Sequence, residues 1–343
     1  MAMTRLRPFL ACVLLLGAGA ARAQNVRIMP VPIVPVAPIV PGVAVQPMIQ
    51  PALPVLAAPQ LRLSPVPLAQ APQVQPHPAA ARPHVESAPQ QGRGLLSALS
   101  RAIGANYREH TYGEAGNFLF SQADSVVRNG VQGVVDAYSG VFVPGTSTEG
   151  SDYKEKGDQN GDGFVDSGGM NVEHVWPQSF FAKRLPMKSD LHHLMATFIH
   201  PNGVRSSMPF GEVRGPGEYS NKGGAKAGQG VFEPPDATKG RVARALLYFY
   251  TRYYDRNIYN AGYSQDFWNA RIEIFLRWNR DFPPDEMELR RNDLVERFQG
   301  NRNPYVDDPS LADRIGVEGF MRAGRYDDLQ RQLDERWKGV RLP

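Results

Sequence analysis

Cysteine is all but missing from this sequence: Cys12 is the single one in 343 residues. It lies in a leader, residues 1–23, that has Arg5 and Arg7, an apolar run from Pro8 to Gly19 and the small-residue pattern Ala21-Arg22-Ala23. That is the pattern of a secretory signal peptide. Once the leader is removed, no disulfide can form and no thiolate is left for a metal. Long apolar runs are also missing. The leader's own run falls short of the ~20 residues that a membrane-spanning helix needs, so an exported chain without a membrane anchor is expected.

Charge is nearly absent from residues 24–92, where Arg62 is the only charged side chain between Arg27 and Arg82. Pro, Val, Ala and Gln dominate there, as in VPVAPIVPGVAVQPMIQPALPV. Proline removes backbone donors and favours extended polyproline conformations, so this stretch reads as a disordered or semi-rigid linker. An excess of one charge sign is missing from the rest. The first 92 residues hold six arginines and one acid, which leaves 32 basic and 33 acidic side chains in residues 93–343. The basic character of the whole chain therefore says little about a partner. Residues 171–256, with 12 Lys or Arg against 7 Asp or Glu, form a mildly cationic stretch that would suit a polyanion.

Residues 93–343 show no internal repeat and no linker-like break, so they read as one domain. Apolar spacing predicts helices over 94–105, 116–138, 241–255, 264–280, 285–299 and 325–338. Asp285, just after Pro283-Pro284, supplies a start for the fifth of these.

What the domain does have is a dense block of chemistry in NVEHVWPQS and SDLHHLMATFIHPNGVRSSMPFGEV. Four of its five histidines, His174, His192, His193 and His200, fall there, with Glu173, Asp190, Asn202 and Arg205. Imidazole can take a proton from water near neutral pH, carboxylate and amide oxygens suit a hard divalent cation, and arginine suits phosphate. Together they describe metal-assisted hydrolysis of a phosphodiester. Asp190 is expected to cap or orient the turn before Leu191, His192 and His193 to support the site from behind, and His200 to be incidental. Just upstream, Asp158, Asn160, Asp162, Gly163 and Asp166 match the start of a calcium loop. Gly169 stands where such a loop places its closing glutamate. The segment reads either as a structural Ca2+ site or as a polar turn.

These blocks, with KGRVARALLYFYTRYYD and RRNDLVERFQGNRNPYVDDP downstream, resemble the bacterial endonuclease I family, secreted or periplasmic nonspecific nucleases of the ββα-metal (His-Me finger) class. The resemblance implies an α+β fold, mixed and predominantly helical, containing a ββα-metal motif. It also implies Mg2+-dependent cleavage of DNA, and often RNA, leaving 5′-phosphate ends, with Mn2+ able to substitute. Carried over by position, His174 resembles the general base and Glu173 and Asn202 the metal ligands. Arg205 is the expected phosphate-binding cation and Arg184 its runner-up. A monomer that meets nucleic acid through the phosphate backbone is the expected form.

Two points of geometry limit the transfer. Pro201 and Gly203 flank Asn202 in the expected finger helix, and neighbours such as Glu173 and His174 point to opposite faces of a regular strand. Two alternatives from other classes remain open: a zinc hydrolase using His174, His192, His193 and His200, and an extracellular binding module stabilised by calcium.

Overall fold

An Asn-Gly turn decides the first departure from these expectations. In the computed structural model, which describes residues 91–259 and 267–321, the stretch 116–138 is not one helix. After α1 (Gly92–Gly104), helix α2 (Tyr112–Phe118) runs into a π-helical turn, Leu119–Ala123. The chain then forms the hairpin β1 (Ser125–Arg128) and β2 (Val131–Val135), to which β3 (Phe142–Pro144) adds a third antiparallel strand. Asn129 and Gly130 take φ of 51° and 77°, the left-handed pair that a two-residue hairpin turn requires. β-branched Val126, Val127, Val131 and Val134 suit the pleated ladder, and their loose helical spacing is overridden.

The central unit is the antiparallel pair β4 (Met170–His174) and β5 (Leu194–Phe198), registered Glu173 to Met195 and His174 to Leu194. Helix α3 (Ile199–Arg205) follows β5 without a break. Two carboxylates bolt β5 in place. Asp136 accepts from the Phe198 amide and the Thr197 hydroxyl, and Asp124 accepts from the Ala196 amide and pairs with Arg241 and Arg291. All five β5 residues are buried. A small sheet of β6 (Tyr219–Ser220), β7 (Lys226–Gly228) and β8 (Val231–Glu233) leads into the long helix α4 (Asp236–Tyr253).

α4 is buried on most of its circumference, as expected of a helix at the centre of a core rather than on its surface. Around it pack α1, α5 (Ile272–Asp281), α7 (Pro304–Asp307) and α8 (Ser310–Phe320). Trp176, Phe249, Tyr250, Trp268 and Phe275 fill that core. A second core, with Leu119, Phe120, Val134, Leu194 and Phe198, lies between the β1–β3 sheet and β5, and Val295 of α6 (Glu286–Gln299) closes it. Asp285 caps α6, its carboxylate accepting from the Glu288 amide, which satisfies one of the orphan donors of the first turn.

The expected helix over 264–280 is shorter where described, as α5 preceded by a single turn at Asn269–Arg271. The described residues fall within the unit Gln75–Pro343. The leader at 1–23, most of the Pro-rich segment and the tail at 325–338 lie outside the described residues. No helix among the described residues is long and apolar enough to cross a membrane. The architecture is mixed α and β, with eight α-helices among the described residues and small antiparallel sheets.

Candidate active site

The C-terminal end of β4 delivers two neighbours to one cleft. Glu173 and His174 both line a cavity of about 380 Å3, with Asn171, Asn202, Tyr112 and Lys183 also on its walls. Glu173 lies inside the ladder, and His174 is the last residue of β4. Both nonetheless reach the same cavity.

Glu173 is 2% exposed, and its Oε1 accepts from the Tyr138 hydroxyl at 2.9 Å and from Arg205 Nη1 at 2.6 Å. Neither bond uses Oε2. Burial pushes the Glu173 carboxyl above the usual carboxylate range, while Arg205 and Tyr138 pull against it. Asn202, the middle residue of α3, donates from Nδ2 to Asn171 Oδ1 at 2.6 Å. That bond leaves the Asn202 carbonyl oxygen as its free end. Asn171 and Glu173 are two apart on β4 and so share a face.

His174 is 4% exposed, and its Nε2 lies 3.0 Å from the Lys188 carbonyl oxygen. A carbonyl only accepts, so Nε2 carries the proton and Nδ1 keeps its lone pair. Tyr112, at the start of α2, stacks on the imidazole at 5.7 Å, and His193 meets it edge-on at 5.5 Å. The capping box of Thr111 and Glu114 fixes the turn that carries Tyr112. Burial above all, then the neighbouring His193, pushes the His174 imidazole down to about 3. It is neutral at any pH near 7.

Arg205, the expected phosphate-binding cation, has other partners. It is 1% exposed; Nη1 donates to Glu173 and to the His174 carbonyl, Nη2 donates to the Val175 carbonyl at 2.6 Å, and the guanidinium lies over the Phe210 ring. Its geometry is that of a clamp on the end of β4. Arg184, the runner-up, is exposed, and its Nε bonds the Phe181 carbonyl; it is not among the residues lining the cleft.

The other expected residues sit behind or beside the cleft. Asp190 Oδ1 caps the turn Leu191–His193 through the His192 amide, and Oδ2 accepts from the Tyr248 and Tyr253 hydroxyls. Those tyrosines are fully buried and cannot stack on a base. His192 bonds the Asn301 carbonyl and His193 the Met187 carbonyl.

His200 is not incidental. Its amide donates to Asp166 and its Nδ1 pairs with Asp162 Oδ2 at 3.0 Å, tying the first turn of α3 to the acidic segment. Within that segment the carboxylates turn on backbone amides. Asp158 accepts from the Asp162 and Gly163 amides, Asn160 from the Asp162 amide and Asp162 from the Phe164 amide.

Among the described residues no three His, Cys, Asp or Glu side chains group as a metal site of their own would need. The four histidines of the zinc alternative are thus not grouped there, and the residues at 158, 160, 162 and 166 are joined by local hydrogen bonds, with Asp166 Oδ2 buried and unpartnered. Asn171 and Tyr138 were missed from the sequence. Asn171 could have been found from its spacing of two from Glu173, but nothing in the sequence points from position 138 to 173.

The fold and cleft define a mixed α/β protein with the acid Glu173, the amides of Asn171 and Asn202 and the tautomer-fixed imidazole of His174 at a strand–strand–helix junction. The family model described as Endonuclease I matches residues 92–310, more than half of the chain. The chain belongs to the endonuclease I family. It is 34% identical over 158 residues to the extracellular ribonuclease of Bacillus amyloliquefaciens, covering 43% of this chain and 54% of that protein. It is 30% identical over 137 residues to Endonuclease-1 of Buchnera aphidicola subsp. Baizongia pistaciae, covering 35% and 46%. With the periplasmic deoxyribonuclease of Aeromonas hydrophila it shares 28% over 124 residues, covering 35% and 48%. The chain spans about half the length of the curated relatives it matches.

Proposed function

We propose that this protein is a secreted, nonspecific endonuclease that hydrolyses phosphodiester bonds of DNA and RNA, with His174 as general base and a ββα-metal motif formed by β4, β5 and α3. The observation that carries the reading is the fixed tautomer of His174. Its Nε2 is spent on the Lys188 carbonyl, so Nδ1 is the basic nitrogen, and Glu173 and Asn202 line the same cleft. The names of the relatives, extracellular and periplasmic nucleases acting on RNA or DNA, support the substrate class and the compartment. The leader at 1–23 supports export.

The donor set fits a magnesium ion. Tyr138 and Arg205 do not use Glu173 Oε2, and Asn171 does not use Asn202 Oδ1, and one carboxylate with one amide oxygen suits a hard cation that keeps several waters. When bound, Mg2+, or Mn2+ in its place, would neutralise charge on the phosphate and the departing 3′ oxygen.

The protein's own residues do the rest. His174 accepts a proton at Nδ1 from a water as that water's oxygen bonds to phosphorus. The bond from phosphorus to the 3′ oxygen then breaks, leaving a 5′-phosphate, and the departing oxygen takes its proton from solvent. The Lys188 carbonyl stabilises the imidazolium that forms, and the incoming phosphodiester's negative charge offsets the burial that depresses His174. Arg205 and Tyr138 hold Glu173 in one position before substrate arrives.

Digestion of plasmid DNA and of RNA, with Mg2+ or with EDTA, tests the reading. His174→Ala should bind DNA like the parent and lose roughly 10²–10⁴-fold in turnover, the usual share of general-base catalysis. Parent-like cleavage by that variant, or undiminished cleavage in EDTA, would refute it.

A further inference from the structure

We propose that Lys183 is the cation that holds a backbone phosphate of the strand lying in the cleft, the role that Arg205 is not placed to fill. The inference rests on the nuclease reading above and names the group that grips its substrate. Two cationic side chains line the cavity, Arg205 and Lys183. Arg205 is buried and spends Nη1 and Nη2 on Glu173 and two backbone carbonyls; its remaining Nε is buried and meets no acceptor. Lys183 is exposed and forms no ion pair or side-chain hydrogen bond among the described residues. Neighbouring cations are engaged, with the Lys188 ammonium over the Tyr112 ring at 4.3 Å and the Arg184 Nε on the Phe181 carbonyl.

The backbone points the same way. Five non-glycine residues have positive φ among the described residues, and three lie on or next to this cavity: Ala182 at 55°, Lys183 at 54° and Ser206 at 49°. Left-handed backbone at ordinary residues persists where the surroundings impose it, and it gathers at ligand sites. Here the Lys183 amide is drawn back onto the Gln178 carbonyl at 2.9 Å, so the chain turns sharply and sets the lysine at the rim. A flexible ammonium meets phosphate as a point charge, without the fixed fork of a guanidinium. Such a contact adds affinity and register without reading bases.

The test measures binding of a fluorescently labelled single-stranded DNA oligonucleotide to the full chain carrying His174→Ala, in Mg2+, across 50–200 mM NaCl. Adding Lys183→Ala should weaken binding severalfold and reduce the slope of log affinity against log salt by about 0.7, the share of one phosphate contact on a single strand. Lys183→Arg should restore both. Lys183→Gly removes the charge while easing the left-handed backbone, so it should fold at least as well and bind as poorly as Lys183→Ala. Lys154→Ala, an exposed lysine in the acidic stretch, should change neither quantity.

In the parent with His174 intact, Lys183→Ala should raise KM more than it lowers kcat. Unchanged affinity and salt slope in both the Ala and Gly variants would overturn the assignment while leaving the nuclease reading intact. Failure of the parent to bind the oligonucleotide or to cut plasmid with Mg2+ would overturn both.

Discussion

Replacing Arg205 by methionine separates a clamp from a phosphate ligand. The change keeps the length and apolar stem of the side chain over Phe210 and removes the charge. It deletes the ion pair to Glu173 and the bonds to the His174 and Val175 carbonyls. Both partners of the pair are almost wholly buried, at 1% and 2% side-chain exposure. Breaking such a pair from one side strands a charge and costs ~3–5 kcal/mol. For a domain of this size, each kcal/mol lowers Tm by ~2–4 °C, so a fall of roughly 6–20 °C is expected.

Glu173 has one way to relieve the loss, which is to keep a proton. Its carboxyl already sits above the usual range through burial, and without Arg205 it would rise further, so the variant should need more Mg2+ at a given pH. The assay is a circular-dichroism melt in EDTA at pH 7.5, followed by Mg2+ titration of DNA cleavage at 20 °C, below the variant's melting transition. A Tm within ~2 °C of the parent, with the whole deficit in KM for DNA, would refute the clamp and return Arg205 to the phosphate.

Tyr138→Phe removes one donor from Glu173 Oε1 and leaves Arg205 in place, so it should cost ~1 kcal/mol of stability and raise the Mg2+ needed for half-maximal cleavage; an unchanged Mg2+ dependence would refute its positioning role. Acid should destabilise the fold below pH 6.5. His174, His192 and His193 are held at about 3, 4 and 4 by burial, so the unfolded chain takes up protons that the folded one refuses, and stability present above pH 6.5 is lost as pH falls toward 4. Asp166 opposes this in the window between its free value of 3.8 and the value near 6 to which burial raises it, because there the folded chain keeps a proton that the unfolded one releases. Glu173 and Asp136, also raised by burial, oppose it in the same sense; the three histidines should prevail, so that urea midpoints fall from pH 7.5 to 5, and a midpoint that is flat or rising over that range would sink the argument.

The sequence disclosed the chemistry of the site better than its mechanics. Residues at the ends of elements, such as Asp285 before α6, follow from local rules and are readable in isolation. The Asn129-Gly130 hairpin was equally local, yet a run of valines at near-helical spacing masked it until strand pairing with β3 decided the matter. Arg205 shows the harder limit. A sequence gives an arginine's charge but not its burial, and the charge that suits phosphate also suits a carboxylate 32 positions earlier. Tyr138 and Glu173 meet only because the turn after β2 is bonded to β5, the partner strand of β4, through the Ala137 amide and the Asp136 carboxylate, a contact that no spacing encodes. Asn171 lay within reach of period-two reasoning, because alternate residues of a strand share a face.

The acidic segment shows why a motif of this kind has two readings. A calcium loop and a series of Asx turns use the same short acids at alternate positions, since both need oxygens that can bend back toward the local backbone. Here most of those oxygens accept from amides, from His200 and from the Tyr219 hydroxyl, while Asp166 Oδ2 is buried with no partner. That outcome matters for Asn202. α3 has only seven residues, with Pro201 and Gly203 among them, and a helix so short has little stability of its own. Its first turn is held by Asp162 and Asp166 through His200, and its middle by Asn171 through Asn202. The acidic segment thus anchors the helix that keeps the amide of position 202 on the wall of the cleft.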